Sequence, residues 1–353
     1  VISALDVAIA DTDTRFSGPV DLGRVDLGPV VRGEQPPARP SIVWRDDGNG
    51  LFYPGALHDL HGEPGTAKTW LVLHAGAETL RTGGAFAFLD YEGTAQTFVE
   101  RLRCLKVRGD VIADESRVAY HNLPGKTNPQ TVAALGEQFT DMGVTFVGLD
   151  AMLPALIRNG YDDNSNADVA AFYETFARPL TVNGAALVCI DHMTKDSTTR
   201  VRGARGAGAK LQLVDVSYSV KTVKAFSRDL AGSVKLSCAK DRFGTFSIGE
   251  PVAEVHVVPN LDMVGIDLRA PEPRDPTAPF RPTHIMESVS RALEEHGELN
   301  TRALRTAANG RTEIQPLAVE LLINEGYVTR VQEGREVRYR SVRPFRADEN
   351  SQP

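Results

Sequence analysis

Apolar positions in this chain recur with two periods, and the switches between them outline its layout. Ala85–Asp90, Val144–Asp150 and Ala185–Asp191 are near-continuous apolar runs that each close on an aspartate. Such runs predict strands buried on both faces. Arg117–Tyr120 predicts a shorter strand, and Ala56–Leu60, which mixes apolar and polar residues, a half-buried one. Between them, helical spacing covers Thr97–Leu105, Thr131–Phe139 and Ala167–Ala177, and a long, mostly apolar helix opens at Trp70. Strands alternating with helices predict an α/β fold: a mainly parallel sheet with helices on both faces. Ser217–Thr222, Ser233–Cys238 and Glu254–Val258 have no helical pattern between them and predict an antiparallel extension of that sheet.

The pattern also divides the chain. Residues 1–40 hold few periodic apolar stretches and several prolines, which predicts an extended or disordered arm. Asp46–Gly50 predicts a turn. Residues 41–268 form the α/β core. Residues 269–282 carry prolines too densely for helix or ladder and predict a semi-rigid linker. A small domain follows over 283–346, and 347–353 is expected to be a disordered tail.

The small domain begins with an amphipathic helix over Thr283–His296, with Ile285, Val289 and Leu293 on one face. A second helix spans Thr301–Ala308. Thr312 and Gln315 fit a capping box that opens a third helix, with Leu317, Leu321 and Leu322 inward and Gly326 at its end. Two alternating runs around Glu333-Gly334 predict a hairpin. Three helices and a hairpin resemble a winged helix-turn-helix. In that reading Arg311 stands near the start of the groove-entering helix, and Arg335, Arg338 and Arg340 on the wing meet phosphates. A protein-binding winged helix is the other reading, because glutamates interleave with the arginines.

One stretch brings chemistry to the core. Gly62-Glu63-Pro64-Gly65-Thr66-Ala67-Lys68-Thr69-Trp70 lies between a predicted strand and a predicted helix. This is the layout of a phosphate-binding loop. Gly62 and Gly65 let backbone N–H groups converge on one point, and the helix N-terminus adds its partial positive charge. Lys68 is placed to reach the β- and γ-phosphates and Thr69 to hold Mg²⁺. Ala67 stands where the motif has glycine, and its Cβ disfavours positive φ.

Other candidates sit at predicted strand ends, where ligands bind in such sheets. Asp150 is expected to hold the Mg²⁺ shell with Thr69. Glu92 can polarise an attacking water. His192, just past Asp191, can sense the γ-phosphate. The basic, glycine-rich stretch Arg200–Lys210 is expected to be a loop that lines a nucleic-acid channel, touches phosphate or lends an arginine to a neighbour's ATP; Arg202 and Arg205 are its candidates. Lys240 and Arg242 flank a turn after a strand.

Composition changes this picture in two ways. A net charge of −7 argues against binding nucleic acid through overall charge, so a local basic patch must serve. Cys104, Cys189 and Cys238 lack metal or disulfide spacing and read as reduced thiols of a cytoplasmic protein. No apolar run reaches membrane-spanning length, and no signal-peptide pattern opens the sequence, so no membrane partner is expected.

The order Gly-Glu-Pro-Gly-x-x-Lys-Thr, Leu-Asp-Tyr-Glu, Leu-Asp, Asp-His-Met-Thr-Lys, Arg-Gly-Ala and Lys-Asp-Arg-Phe-Gly resembles the RecA-fold P-loop ATPases of the RepA hexameric helicase type, over roughly residues 40–260. The resemblance implies an ATP- and Mg²⁺-dependent hydrolase with Lys68, Glu92, Asp150 and His192 as catalytic residues. Lys240-Asp241-Arg242-Phe243-Gly244 resembles the Lys-Asn-Arg-Phe-Gly motif of RecA-like proteins such as RadA. That implies action of Lys240 and Arg242 on a neighbour's nucleotide or on DNA. The expected protein is a ring-forming replicative helicase of a phage, plasmid or integrated element, a hexamer acting on DNA. The rival is a DNA-binding initiator or regulator that uses ATP as an assembly switch without unwinding.

Overall fold

The computed structural model describes residues 26–35, 37–192, 207–272, 281–308, 312–333 and 336–346. They fall into two compact units. One is the chain through Thr222 with Phe226–Ala270; the other is Val223–Ala225 with the residues from Pro271 onward.

The first unit opens with a four-residue helix, α1 (Gly28–Val31), which buries nothing. The hairpin β1 (Ile42–Trp44) and β2 (Gly50–Phe52) then closes through the predicted Asp46–Gly50 turn. Next come β3 (Leu57–Gly62), α2 (Lys68–Arg81), β4 (Ala85–Asp90), α3 (Ala95–Cys104), α4 (Gly109–Ile112) and β5 (Val118–His121). After them lie α5 (Pro129–Asp141), β6 (Val144–Asp150), α6 (Met152–Arg158), α7 (Asn166–Phe172), β7 (Ala186–His192) and α8 (Ala207–Leu213). The unit finishes with β8 (Val216–Lys224), β9 (Gly232–Asp241), β10 (Pro251–Asn260) and β11 (Met263–Arg269).

Nine strands make one sheet in the order β11-β10-β9-β8-β3-β7-β6-β4-β5. The pairs from β8 through β3, β7, β6 and β4 to β5 are parallel. β9, β10 and β11 pair antiparallel. The α/β architecture is therefore the expected one, with two differences. β8 was expected in the antiparallel extension but runs parallel to β3, since an apolar pattern carries no strand direction. β11 falls where the sequence gives little apolar signal: its residues are mostly exposed or half-buried at the sheet edge.

Alternation sorts each central strand onto two cores. Phe86, Phe88, Phe146, Val188 and Ile190 face the cluster that includes Leu71 and Val72 of α2. Ala87, Leu89, Val147, Leu149, Leu187 and Cys189 face the opposite cluster, with Leu135 and Phe139 of α5 and Phe172 of α7. β3 is buried on both faces, His58 and Asp59 included, so it is not the half-exposed strand its polar residues suggest. The loop helix α2 lies close on the sheet: a Cβ on Gly148 would stand 2.6 Å from Val72 Cγ1 and 2.8 Å from the Phe88 ring. The predicted helix Ala167–Ala177 is α-helical only to Phe172, then passes into a π turn (Tyr173–Ala177) and a 3₁₀ segment (Arg178–Gly184). Pro179 lacks the N–H an α-helix needs there, and its ring clashes with the carbonyl four residues back.

The second unit contains α9 (Thr283–His296), β12 (Leu299–Asn300), α10 (Thr301–Ala307), α11 (Gln315–Asn324), β13 (Val328–Glu333) and β14 (Glu336–Ser341). Its sheet has the order β12-β14-β13, all antiparallel. Val289, Leu293, Leu304, Leu322 and Phe345 share its core. The predicted capping box is absent. The helix starts at Gln315 with Ile314 as its cap residue, and no side chain caps it. Gln315 is buried and donates its amide to the Ala308 carbonyl at 3.0 Å, so it does not reach back to the helix start. Leu317 is also exposed, contrary to the predicted inward face; Leu322 is buried as predicted, and Ala318 and Val319 fill the core beside it.

Candidate functional site

β3 ends at Gly62, and the chain turns through Glu63–Ala67 into α2. A Cβ on Gly62 would lie 2.4 Å from the Val220 carbonyl oxygen, so the loop starts where only glycine fits. Thr66 Oγ1 donates to the Glu63 carbonyl at 2.9 Å and closes the loop on itself. The Lys68 ammonium spans its mouth, donating to the carbonyls of Gly62 and Glu63 at 2.8 Å each and to Thr66 Oγ1 at 3.2 Å. Burial pulls the Lys68 pKa down to about 8, against the attraction of Asp150, Asp191, Asp59 and Glu92. No side chain caps α2, so its first-turn N–H groups face the loop. An ammonium and a bare helix N-terminus at one point make an anion site.

Ala67 takes the left-handed conformation, φ 58° and ψ 14°. The backbone of this loop keeps the glycine geometry although the residue is alanine. A left-handed L-residue costs roughly 1–2 kcal/mol, part of which glycine returns as unfolded-state entropy. Ala67→Gly is therefore expected to raise stability by up to about 1 kcal/mol and to keep or raise nucleotide turnover; thermal unfolding and a turnover assay check both.

Strand register brings the remaining groups to the loop. Gly62 stands opposite His192, and Asp150 opposite Asp90. Thr69 Oγ1 donates to Asp150 Oδ2 at 2.7 Å. Asp150 is buried, its Oδ1 has no hydrogen-bond partner among the described residues, and burial pushes its pKa up. A hydroxyl beside a carboxylate with an unused buried oxygen suits Mg²⁺, which takes oxygen donors. Thr69 and Asp150 would hold that ion, whose chemistry there is to neutralise phosphate charge.

Glu92 lies in the turn after β4, and its Oε1 is 3.6 Å from His192 Nε2. The turn is fixed by Asp90, whose Oδ1 accepts from the N–H groups of Glu92 at 3.0 Å and Gly93 at 2.6 Å. Tyr120 OH donates to Asp90 Oδ2 at 2.9 Å. His192 is placed in the same manner: its N–H donates to Asp191 Oδ1, and Asp191 Oδ2 accepts from Lys210 Nζ at 2.8 Å. Thr69, Asp90, Glu92, Arg101 and Asp150 line one cavity of about 200 Å³. A second, of about 500 Å³, runs beside the loop along His61, Thr66, Ser219 and Lys221.

The structure thus brings together Lys68, Thr69, Glu92, Asp150 and His192, with Trp70 half-buried at the start of α2. Sequence reasoning missed three groups around them: Asp90 and Asp191 as positioning residues, and Arg101. The Arg101 guanidinium stands 5.8 Å over the Trp70 ring and borders the Glu92 cavity. Its signal was an arginine on the predicted helix directly after Glu92. Lys210, expected in the basic loop, instead lies in α8 and spends its charge on Asp191.

Lys240 and Arg242 are not at this site. Lys240 Nζ donates to the carbonyls of Gln212 and Val214. Arg242 Nη1 pairs with Asp215 Oδ1 at 2.7 Å. Asp215 meets the backbone of Leu57, at the opposite end of β3 from Gly62. In the second unit, Arg338 and Arg340 lie two residues apart on one face of β14, and Arg340 Nε is 3.7 Å from Glu298. Arg202, Arg205, Arg311 and Arg335 lie outside the described residues.

Residues 25–198 match the family model described as an AAA domain, a span just under half of the chain that contains every residue brought together at the loop. A solved structure that resembles this chain is a KaiC-like protein from the hyperthermophilic archaeon Pyrococcus horikoshii OT3. The likeness covers 65% of this chain and 99% of that one, at 12% identity and a TM-score of 0.47. No curated protein matches the chain. The first unit has an α/β fold, a large and mostly parallel sheet with helices, that matches the core of a RecA-like P-loop NTPase. Among the described residues no helix is long and apolar enough to cross a membrane.

Proposed function

We propose that this protein is an ATP-driven motor acting on DNA, a ring-forming helicase of the RepA type. The observation that carries the ATPase part is the convergence of Lys68, Thr69, Asp150, Glu92 and His192 at the carboxyl ends of adjacent parallel strands. Lys68 and the amides of the loop bind the β- and γ-phosphates. Thr69 and Asp150 would hold the magnesium that comes with ATP, which would neutralise phosphate charge. Glu92 accepts a proton from the water whose oxygen attacks the γ-phosphorus, and the ADP–phosphate bond breaks. His192, 3.6 Å from Glu92, stands where it registers phosphate departure. Loss of a positioned donor at a developing charge costs roughly 10²–10³-fold in rate. Lys68→Ala should lose at least that much, in binding or in turnover; unchanged turnover would refute the phosphate-loop assignment.

The DNA part rests on the second unit. Its order of helix, strand, two helices and hairpin supports a winged-helix reading, with Arg338 and Arg340 along one face of a hairpin strand. Removing residues 283–353 should weaken duplex binding and leave basal ATP hydrolysis intact. Equal duplex affinity with and without them favours a protein-binding winged helix. Hydrolysis stimulated by single-stranded DNA, with strand separation, supports the helicase; nucleotide-dependent assembly on DNA without either supports an ATP-switched initiator.

A further inference from the structure

We propose that Glu92, Asp150 and His192 form a binding site for a zinc-class divalent cation, filled when no nucleotide is bound. The three residues come from the ends of three adjacent strands. One ligand atom from each lies within 4.8 Å of the others, and no other such group occurs among the described residues. Glu92 Oε1 and His192 Nε2 stand 3.6 Å apart. That is beyond hydrogen-bond length. It is close to the edge of a tetrahedral zinc centre, where ligands about 2.1 Å from the metal are roughly 3.4 Å from one another.

Asp150 supplies the second, independent observation. It is 6% exposed. Its Oδ2 is occupied by the Thr69 hydroxyl, and its Oδ1 is buried without a partner among the described residues. A buried polar atom left unpaired is costly, and a cation at the cluster would satisfy it. On His192 the nitrogen turned toward Glu92 is Nε2. The Lys68 ammonium does not compete, because it is spent on the loop carbonyls, and the Arg101 guanidinium on the border of the cavity stands over the Trp70 ring.

Donor chemistry selects the ion. Two carboxylates neutralise a dication, and an imidazole favours zinc over magnesium. Magnesium prefers oxygen ligands and comes with phosphate. The two metals share Asp150, and zinc also occupies Glu92. Zinc and Mg-ATP are thus mutually exclusive, and bound zinc holds the core idle. That last consequence rests on the ATPase reading, whereas zinc binding by itself does not.

The test uses the full chain stripped by chelator and free of nucleotide. Zinc binding is measured by equilibrium dialysis, with Co²⁺ as the spectroscopic probe. The expected result is one high-affinity zinc per chain, displaced by Mg-ATP and not by magnesium alone. The cobalt form should show tetrahedral visible bands and no thiolate charge-transfer band. His192→Ala and Glu92→Gln should each weaken binding roughly 100-fold or more, since even outer-shell partners of a metal ligand are worth 10–100-fold. Equal zinc affinity in wild type and His192→Ala, or a thiolate band, means an adventitious ion only and overturns the site. Lys68→Ala separates the two readings. It should bind zinc normally while failing to release it on addition of Mg-ATP. Loss of zinc from this variant without ATP would place the metal on the loop instead and refute the proposal.

Discussion

Glu92→Gln is expected to bind ATP at wild-type affinity and to hydrolyse it roughly 10²–10⁴-fold more slowly, the worth of a general base. The substitution keeps the shape of the side chain and removes its basicity. It also keeps what positions residue 92, because Asp90 holds the turn through backbone N–H groups that glutamine retains. Binding and chemistry therefore separate cleanly. Trp70, next to Thr69 at the start of α2, gives an intrinsic fluorescence signal for binding, and single-turnover phosphate release gives the chemical step. A loss below about 10-fold would leave Glu92 a bystander and shift the search for a base to other groups on the same cavity.

The geometry of the candidate phosphate loop was legible in the sequence because it is local. Gly62, Gly65, Lys68 and Thr69 belong to one strand–turn–helix, so their spacing alone outlines the candidate site. The strand-end carboxylates were legible for a similar reason, since apolar runs closing on aspartate put them at the ends of a parallel sheet. What sequence could not carry is pairing between elements. Asp90 looks like one more strand end until Tyr120 and the Glu92 amide are seen to converge on it. Lys210 looks like part of a basic loop until Asp191 is found beneath it. Gln315 satisfies a capping pattern, but the core buries it and gives its amide to Ala308. The direction of β8 was hidden because alternation records which face is buried and not which way the strand runs.

Arg242→Ala is expected to bind ATP normally and to lose roughly 10³–10⁵-fold in hydrolysis, the worth of an arginine that neutralises charge on the γ-phosphate. Arg101 borders the Glu92 cavity but stands over Trp70, and among the described residues the groups at the loop supply no second arginine. Arg242 cannot act on its own loop. It is tied to Asp215 beside Leu57, and Gly62 lies five residues further along β3, roughly 17 Å away at strand rise. In the proposed ring, the resemblance to RecA-like ATPases puts Arg242, with its side chain 54% exposed, at the edge that faces the next subunit's nucleotide. Removing it should not unfold the core, because Asp215 keeps Arg178 at 3.3 Å and the Leu57 N–H at 3.0 Å. Mixing Arg242→Ala with Lys68→Ala subunits then decides the point. Each variant alone has every interface broken. A mixed ring contains interfaces that pair an intact loop with an intact Arg242, so part of the activity should return. Co-assembly is followed by mass measurement in the same samples. A mixture that co-assembles and stays inactive means that Arg242 serves its own subunit's structure through Asp215, and that the charge on the γ-phosphate is met from elsewhere.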